Sequence, residues 1–367
     1  MSADIILVIV VGTALAFDFT NGFHDTANVV ATSISTRAIG PKQAVVMASL
    51  LNFAGAFISL KVAATIGQGF VDTDAVTTTV VFAGLVGAIA WNLITWWLGL
   101  PSSSSHALIG GLVGSVVAAQ GFAAVNGGGL LDNLIIPAII APVIAFAAAG
   151  ISILFVYRIV GNLRPGPVSR GFRHGQLISG GMLSLSHGTN DAQKTMGVIT
   201  LALVANGDIA ANHFHVPDWV VISAASAIAL GTFIGGWRII KTLGTRIIDM
   251  DPAQGFAAQG AGAAVILAAS AVGYPLSTTH VISGGIMGSG AAKRLSAVRW
   301  GVAGNIVTAW VLTLPAAGTI GALTYAVASL FGSGAVGPIL ITAAMLTALA
   351  AAFARRIQRA APAPSTP

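Results

Sequence analysis

Apolar segments long enough to cross a bilayer recur along almost the whole chain. They fall at roughly 4–36, 43–66, 77–98, 104–124, 133–158, 175–204, 218–240, 255–292, 300–327 and 336–354. Three of them (4–36, 175–204 and 255–292) are over-long and interrupted by polar or helix-breaking residues. Together with 99–124 they are expected to be broken helices or re-entrant hairpins. Counting half-helices, this pattern predicts an all-α polytopic membrane protein with about ten to twelve membrane segments.

The polar interruptions are duplicated. Pro101-Ser-Ser-Ser-Ser-His-Ala-Leu-Ile-Gly-Gly-Leu-Val-Gly-Ser115 returns as Pro275-Leu-Ser-Thr-Thr-His-Val-Ile-Ser-Gly-Gly-Ile-Met-Gly-Ser289, with seven of fifteen positions identical. A weaker pair accompanies it, Asn21-Gly-Phe-His-Asp-Thr-Ala-Asn28 and His187-Gly-Thr-Asn-Asp-Ala-Gln-Lys194, in which Gly22 matches Gly188 and Asp25 matches Asp191. Paired polar breaks in two hydrophobic halves are the mark of a transporter built from repeats.

Composition and charge sharpen this. Hydrophobic residues make up 55% of the 367 residues and charged residues 8%, too few to solvate a soluble domain of this size. All eleven acids are aspartate and there is no cysteine, which excludes disulfides and thiolate metal sites. The N-terminus lacks a basic region and a cleavage site, so it reads as a retained first helix. The net charge of +6 sits in loops, a pattern that encodes orientation rather than nucleic-acid binding. Loops around Arg37/Lys42, Arg158 to Arg173, Arg238 to Arg246, Lys293 to Arg299 and the Arg355/Arg356/Arg359 tail are basic; 67–76, 121–132, 205–218 and 328–338 contain no Lys or Arg. The positive-inside rule makes the first set cytoplasmic, with an external N-terminus and an internal C-terminus in the cell (inner or plasma) membrane. Matching segments then run in opposite directions, so the halves are expected to be inverted-topology repeats. The expected organisation is repeat one at 1–158, a basic cytoplasmic loop at 159–173, repeat two at 174–327, an additional helix at 328–354, and a basic then disordered tail at 355–367.

Few ionisable groups lie at membrane depth: Asp18, Asp25, Lys61, Asp191, Lys194, His24, His106, His187 and His280. An aspartate at mid-bilayer costs roughly 2.5–3.5 kcal/mol, so these groups are expected to face a polar interior. A structural polar network is the alternative, weakest for the matched Asp25 and Asp191 and stronger for Asp18, whose counterpart is Ser184. Lys61 near a span end reads as snorkelling. The hydroxyl runs Ser102 to Ser105 and Ser277 to Thr279 follow a proline and open a glycine-rich apolar run. Such a helix start, with free N–H groups and several hydroxyls, suits a tetrahedral oxyanion. N-capping accounts for one hydroxyl at each start, not for runs of four and three. His106 and His280 could donate to the anion, titrate, or fix the hairpin. His24 beside Asp25 has the chemistry of a proton carrier. Asn28, Asn190 and Gln193 offer neutral oxygens and amides, and Lys194 offers positive charge; spacing alone leaves these roles open.

The motifs 21–28, 187–191 and 275–284 resemble those of the inorganic phosphate transporter (Pit) family, and most closely its bacterial low-affinity branch. The resemblance covers nearly the whole chain. It implies secondary transport of inorganic phosphate, with arsenate as an analogue. It further implies phosphate against Ser103, Ser104, Ser105, Ser277, Thr278 and Thr279, and a coupling ion at Asp25, Asn28, Asn190 and Asp191. Two departures bear on coupling. Many members carry Asn where this chain has His24, and Asn52 and Gln259 stand where sodium-coupled relatives often carry glutamate. Both weaken a sodium site, and the histidine adds a titratable group. The expectation is proton symport with alternating access around a midplane site, and the sequence leaves open whether phosphate travels as a neutral complex with a divalent metal. A cation is needed in any case, because each phosphate charge entering a negative-inside cell costs about 2.3 kcal/mol per 100 mV.

Rival readings remain. Sodium coupling, or another oxyanion such as sulfate, would keep the architecture. An intramembrane hydrolase would need one activated serine where both repeats keep the same pattern, and a His-Glu-x-x-His site is impossible without glutamate. A channel need not place paired acids in inverted halves. No nucleotide-binding motif, cofactor or nucleic-acid partner is expected; the oligomeric state is open, a homodimer included.

Overall fold

The repeated Gly-x-Pro-x-Ser punctuation decides where the chain breaks. Gly99 and Gly273 each end a helix in the left-handed conformation (φ 67° and 89°), Pro101 and Pro275 follow, and Ser103 and Ser277 cap the next helix. The computed structural model describes residues 2–332 and 334–360. Its helices are α1 (Ser2–Ser35), α2 (Pro41–Gly55), α3 (Lys61–Gln68), α4 (Thr78–Leu98), α5 (Ser104–Gln120), α6 (Gly127–Leu130), α7 (Ile136–Val160), α8 (Pro165–Asn206), α9 (Asp218–Ile234), α10 (Trp237–Lys241), α11 (Pro252–Val272), α12 (Thr278–Lys293), α13 (Trp300–Ser329) and α14 (Val336–Ala360). A π-helical turn, Leu131–Ile135, joins α6 to α7.

The chain is an all-helical membrane protein. Among the described residues, five helical stretches are long and apolar enough to span on their own: Asp4–Ser35, Thr78–Leu98, Gly127–Val160, Pro252–Val272 and Trp300–Ser329. The pair Asp218–Ile234 and Trp237–Arg246, bent by 59°, makes a sixth. The 42-residue α8 is long and carries many buried polar side chains, among them Ser184, His187, Asn190, Asp191, Gln193 and Lys194.

Three expectations need correction. The segments 4–36 and 175–204 are not broken: α1 and α8 run through their polar motifs as single helices. Their polar side chains bond to the hydroxyls at the starts of α5 and α12 and to neighbours on their own helix, so the backbone need not open. Breaks fall at α4/α5 and α11/α12, inside the expected 99–124 and 255–292, and also at α2/α3 and α9/α10. The basic stretch 159–173 is mostly helix, because α8 starts at Pro165, where a proline is favoured in the first turn. Helix α14 continues to Ala360, past the expected start of the tail; the residues beyond lie outside the described part of the chain.

The two halves interleave in space. Helix α1 packs on α9 as its counterpart α8 packs on α2, and α5 packs on α13 as α12 packs on α7. Each bundle therefore contains helices from both sequence halves. Gly22 on α1 and Gly188 on α8 occupy matched sites in these pairings, facing the carbonyls of Ile228 and Asn52 so closely that a Cβ would collide with backbone. Gly110 and Gly114 face Leu314 and Gly318, as Gly284 and Gly288 face Pro142 and Phe146. This close helix approach is what small residues permit in a bilayer.

Helices α1 and α8 are antiparallel. Thr36 Oγ1 at the end of α1 donates to Gln176 Oε1 near the start of α8 (3.0 Å), whereas Asp18 in the first half of α1 faces Thr195 in the second half of α8. Two apolar cores fill the ends of the molecule. One holds Val10, Phe17, Phe82, Leu112, Met196 and Ile228; the other holds Val30, Ile240, Leu243, Ile266, Ile282 and Ile286. Between them lies a polar layer.

Candidate functional site

The polar layer is assembled where the starts of α5 and α12 meet the middle of α1 and α8. Ser103 Oγ accepts from the N–H of His106 (3.1 Å) and Ser277 Oγ from that of His280 (3.3 Å). These two hydroxyls are N-caps, leaving the next two of each run to face inward. His106 and His280 stack at 4.8 Å between ring centroids, so the helix starts are in contact, and His280 also stacks on Trp310 at 4.0 Å. His106 Nδ1 lies 2.6 Å from Ser103 Oγ and His280 Nδ1 3.3 Å from Ala138 O. Both histidines thereby brace the hairpins.

Four hydrogen bonds repeat across the two halves. Ser104 Oγ donates to Asp25 Oδ2 (3.0 Å), and its counterpart Thr278 Oγ1 donates to Asp191 Oδ2 (3.3 Å). Asn28 Nδ2 donates to Thr279 Oγ1 (2.9 Å), and its counterpart Lys194 Nζ donates to Ser105 Oγ (2.5 Å). The first two bonds stay within a half and the second two cross between halves. Asn28 also reaches Thr278 (3.2 Å), and Thr279 reaches Asp25 Oδ1 (3.5 Å). All of these side chains are buried.

The symmetry is broken in charge. Where one half has Asn28, the other has Lys194, whose ammonium also pairs with Asp191 and donates to Leu276 O (2.8 Å). Asn190 donates to Asp191 Oδ1 (2.7 Å) and Leu276 O (2.8 Å). Its counterpart His24 places Nδ1 2.7 Å from Asp25 Oδ1 and Nε2 3.1 Å from Thr95 Oγ1, to which Ser102 donates (2.8 Å).

His187, seen in the sequence at membrane depth but given no site role, belongs to the cluster: its Nε2 is 3.1 Å from Asp191 Oδ2 without hydrogen-bond alignment. The ligand atoms of Asp25, His187 and Asp191 all lie within 4.8 Å of one another, an arrangement that could hold a cation. The signal available was its place four residues before Asp191, one helical turn on the same face. Thr95 carried no signal beyond being polar in an apolar helix.

Other expected site residues lie elsewhere. Gln193 Oε1 accepts from the N–H groups of Val62 (2.8 Å) and Ala63 (3.2 Å), so it fastens the start of α3. Asp18 is buried beyond the cluster, with no hydrogen-bond partner on either oxygen. Asn52 donates to Thr232 (2.8 Å), and Gln259 donates to Ser33 (2.6 Å) while accepting from Ser179 (2.9 Å). Lys61 is at the surface, donating to Ala271 O (2.8 Å).

Chemically, the site presents four inward hydroxyls, an ammonium and two helix N-termini beside two carboxylates. An anion bound by those donors would lie against Asp25 and Asp191.

Comparison with known proteins gives the family and the fold. The model of the phosphate transporter family matches residues 21–168 and 162–321. A Mycobacterium bovis protein named "Probable low-affinity inorganic phosphate transporter" is 52% identical over 91% of this chain and 80% of its own length. A Rhizobium meliloti protein of the same name is 50% identical over 89% and 97%. The solved structure titled "The sodium-dependent phosphate transporter" superposes with a TM-score of 0.78 at 26% identity, covering 89% of this chain and 99% of that one. These relatives are named as transporters, not as enzymes.

Proposed function

The chain belongs to the phosphate transporter family, and we propose that it imports inorganic phosphate by proton symport, with alternating access around the polar layer. The observation that carries this is the shared use of the hydroxyls: Ser104 and Thr278 donate to Asp25 and Asp191, the groups an incoming oxyanion would meet first. Phosphate exchanges those bonds for its own. Ser104, Ser105, Thr278, Thr279 and Lys194 become its donors, helped by the first-turn N–H groups of α5 and α12. Ser103 and Ser277 hold the helix starts in place. Two carboxylates released beside an anion repel it unless cations neutralise them, so phosphate and cation bind together.

His24 lies against Asp25, and an imidazole beside a carboxylate has the chemistry of a proton carrier. Asn190 orients Asp191 and the Leu276 carbonyl, and Asn28 bridges the halves. A divalent ion travelling with phosphate as a neutral complex would fit between Asp25, His187 and Asp191. Sodium coupling is the second reading, favoured by the name of the solved relative. The amide of Gln259 argues against it, because both its ends are spent on neutral hydrogen bonds, to Ser33 and from Ser179.

In this reading the basic ends of the helices are cytoplasmic, the N-terminus is external, and the antiparallel α1 and α8 are the central pair of two inverted repeats. The tetrahedral donor set accepts arsenate as well as phosphate. Counterflow tests the substrate: proteoliposomes preloaded with phosphate should exchange labelled phosphate, with arsenate competing and sulfate not. Equal competition by sulfate would widen the substrate to oxyanions in general.

A further inference from the structure

Asp18 is a buried carboxylate that the phosphate donors do not use. It is fully enclosed, neither oxygen has a hydrogen-bond partner, and none of the inward hydroxyls bonds to it. Thr195 on α8 and Asn21 on α1 approach it without reaching hydrogen-bond geometry. Thr195 Oγ1 and Asn21 Oδ1 are themselves buried and without a partner. Four orphaned oxygen atoms on three facing side chains are a costly environment for an ionised carboxylate. A single proton relieves it, because a protonated carboxyl gains an O–H that can donate to either neighbour.

Position adds to this. Asp18, Asn21 and Asp25 follow at spacings of three and four on one face of α1, so Asp18 lies about 10 Å along the helix from Asp25, toward the end read as external. The other half has no equivalent carboxylate, since matched Ser184 donates to its own Gly180 carbonyl (2.8 Å). The charges that act on Asp18 are Asp191 and Lys194 on α8. Helix α4 carries no ionisable residue, α9 has Asp218 only at its first position, and α5 has His106 committed to the stack. On α1 itself, His24 and Asp25 lie further along.

We propose that Asp18 is a proton-binding site, separate from the phosphate donors, whose protonation from the outer solution accompanies phosphate binding. Ionised Asp18 repels an incoming anion and draws on the field of Lys194; neutral Asp18 does neither. Phosphate and proton therefore raise each other's affinity. One proton moves from solvent water to a carboxylate oxygen, and no other bond changes. The proposal rests on the phosphate reading above.

The test is calorimetric titration of the purified full-length protein with inorganic phosphate, in buffers of different ionisation enthalpy, for wild type and Asp18→Asn. The variant should bind phosphate while taking up about one proton fewer per phosphate, and its apparent Kd should vary less with pH. Equal proton uptake by both proteins overturns the proposal. Should Asp18→Asn fail to fold, infrared difference spectra of the wild type and Thr195→Val decide. A protonated-carboxyl C=O band that grows with phosphate and shifts in Thr195→Val is expected, and its absence overturns the idea. Binding that responds to sodium and not to pH overturns it in favour of an alkali-cation site. A wild type that binds no phosphate defeats the phosphate reading itself, a result distinct from equal proton counts.

Discussion

Lys194 Nζ donates to Ser105 Oγ at 2.5 Å, crossing from the second half of the chain to the first at the position where Asn28 crosses back to Thr279. One of two equivalent contacts is thus charged and the other neutral. In the phosphate reading proposed above, the charged side holds the anion most strongly.

Lys194→Gln keeps a donor but removes the charge. Phosphate affinity should fall at least tenfold, equivalent to about 1.4 kcal/mol. Asp191 is then buried without its counter-charge, a loss of about 3–5 kcal/mol when one partner of a buried pair is removed. Phosphate titration and thermal unfolding in detergent measure the two effects. Unchanged affinity would remove Lys194 from the anion site.

The capping hydroxyls and the inward hydroxyls separate by mutation. Ser103→Ala should cost about 1 kcal/mol of stability through the lost cap. Ser104→Ala and Thr278→Val each delete a hydrogen bond to a charged group, about 1.5–3 kcal/mol, so phosphate affinity should fall by roughly tenfold or more in both. Similar losses at the two matched positions are expected in binding assays. A loss confined to one half would contradict a shared site.

Gly22→Ala and Gly188→Ala place a methyl group against the backbone at Ile228 and Asn52. Each should lower stability by about 1–3 kcal/mol through overpacking. Gly260 has open space around its Cβ position, and Gly260→Ala should be neutral or stabilising. Unfolding midpoints of the three variants check this.

Both motif pairs, and the hydroxyls, acids and lysine of the polar layer, were legible in the sequence because duplication marked them. The course of the backbone there was not. Polar residues inside an apolar run look like a break, yet α1 and α8 stay helical because the hydroxyls at the starts of α5 and α12 satisfy their side chains. Interleaving of the halves was hidden too: it depends on glycines such as Gly22 and Gly188 meeting carbonyls distant in sequence. Gln193 showed why residue type misleads, since its Oε1 serves two amide N–H groups of α3. His187 could have been assigned from its helical spacing to Asp191; its unmatched counterpart Asn21 obscured it.

His24→Gln keeps a hydrogen-bonding side chain between Asp25 and Thr95 but cannot carry a proton. It should retain phosphate exchange and lose most of the accumulation driven by a pH gradient. Comparing counterflow with gradient-driven uptake in the same vesicles measures both. Full accumulation by the variant would take His24 out of the proton path.

The central claim is tested most directly by uptake of labelled phosphate into proteoliposomes with an imposed pH gradient and no sodium. The wild type should accumulate phosphate, a protonophore should abolish the accumulation, and Asp25→Asn should show none. Uptake that appears only when sodium is added, at constant pH, would contradict proton coupling while leaving phosphate as the substrate. No uptake under either gradient by folded protein would contradict the assignment to phosphate.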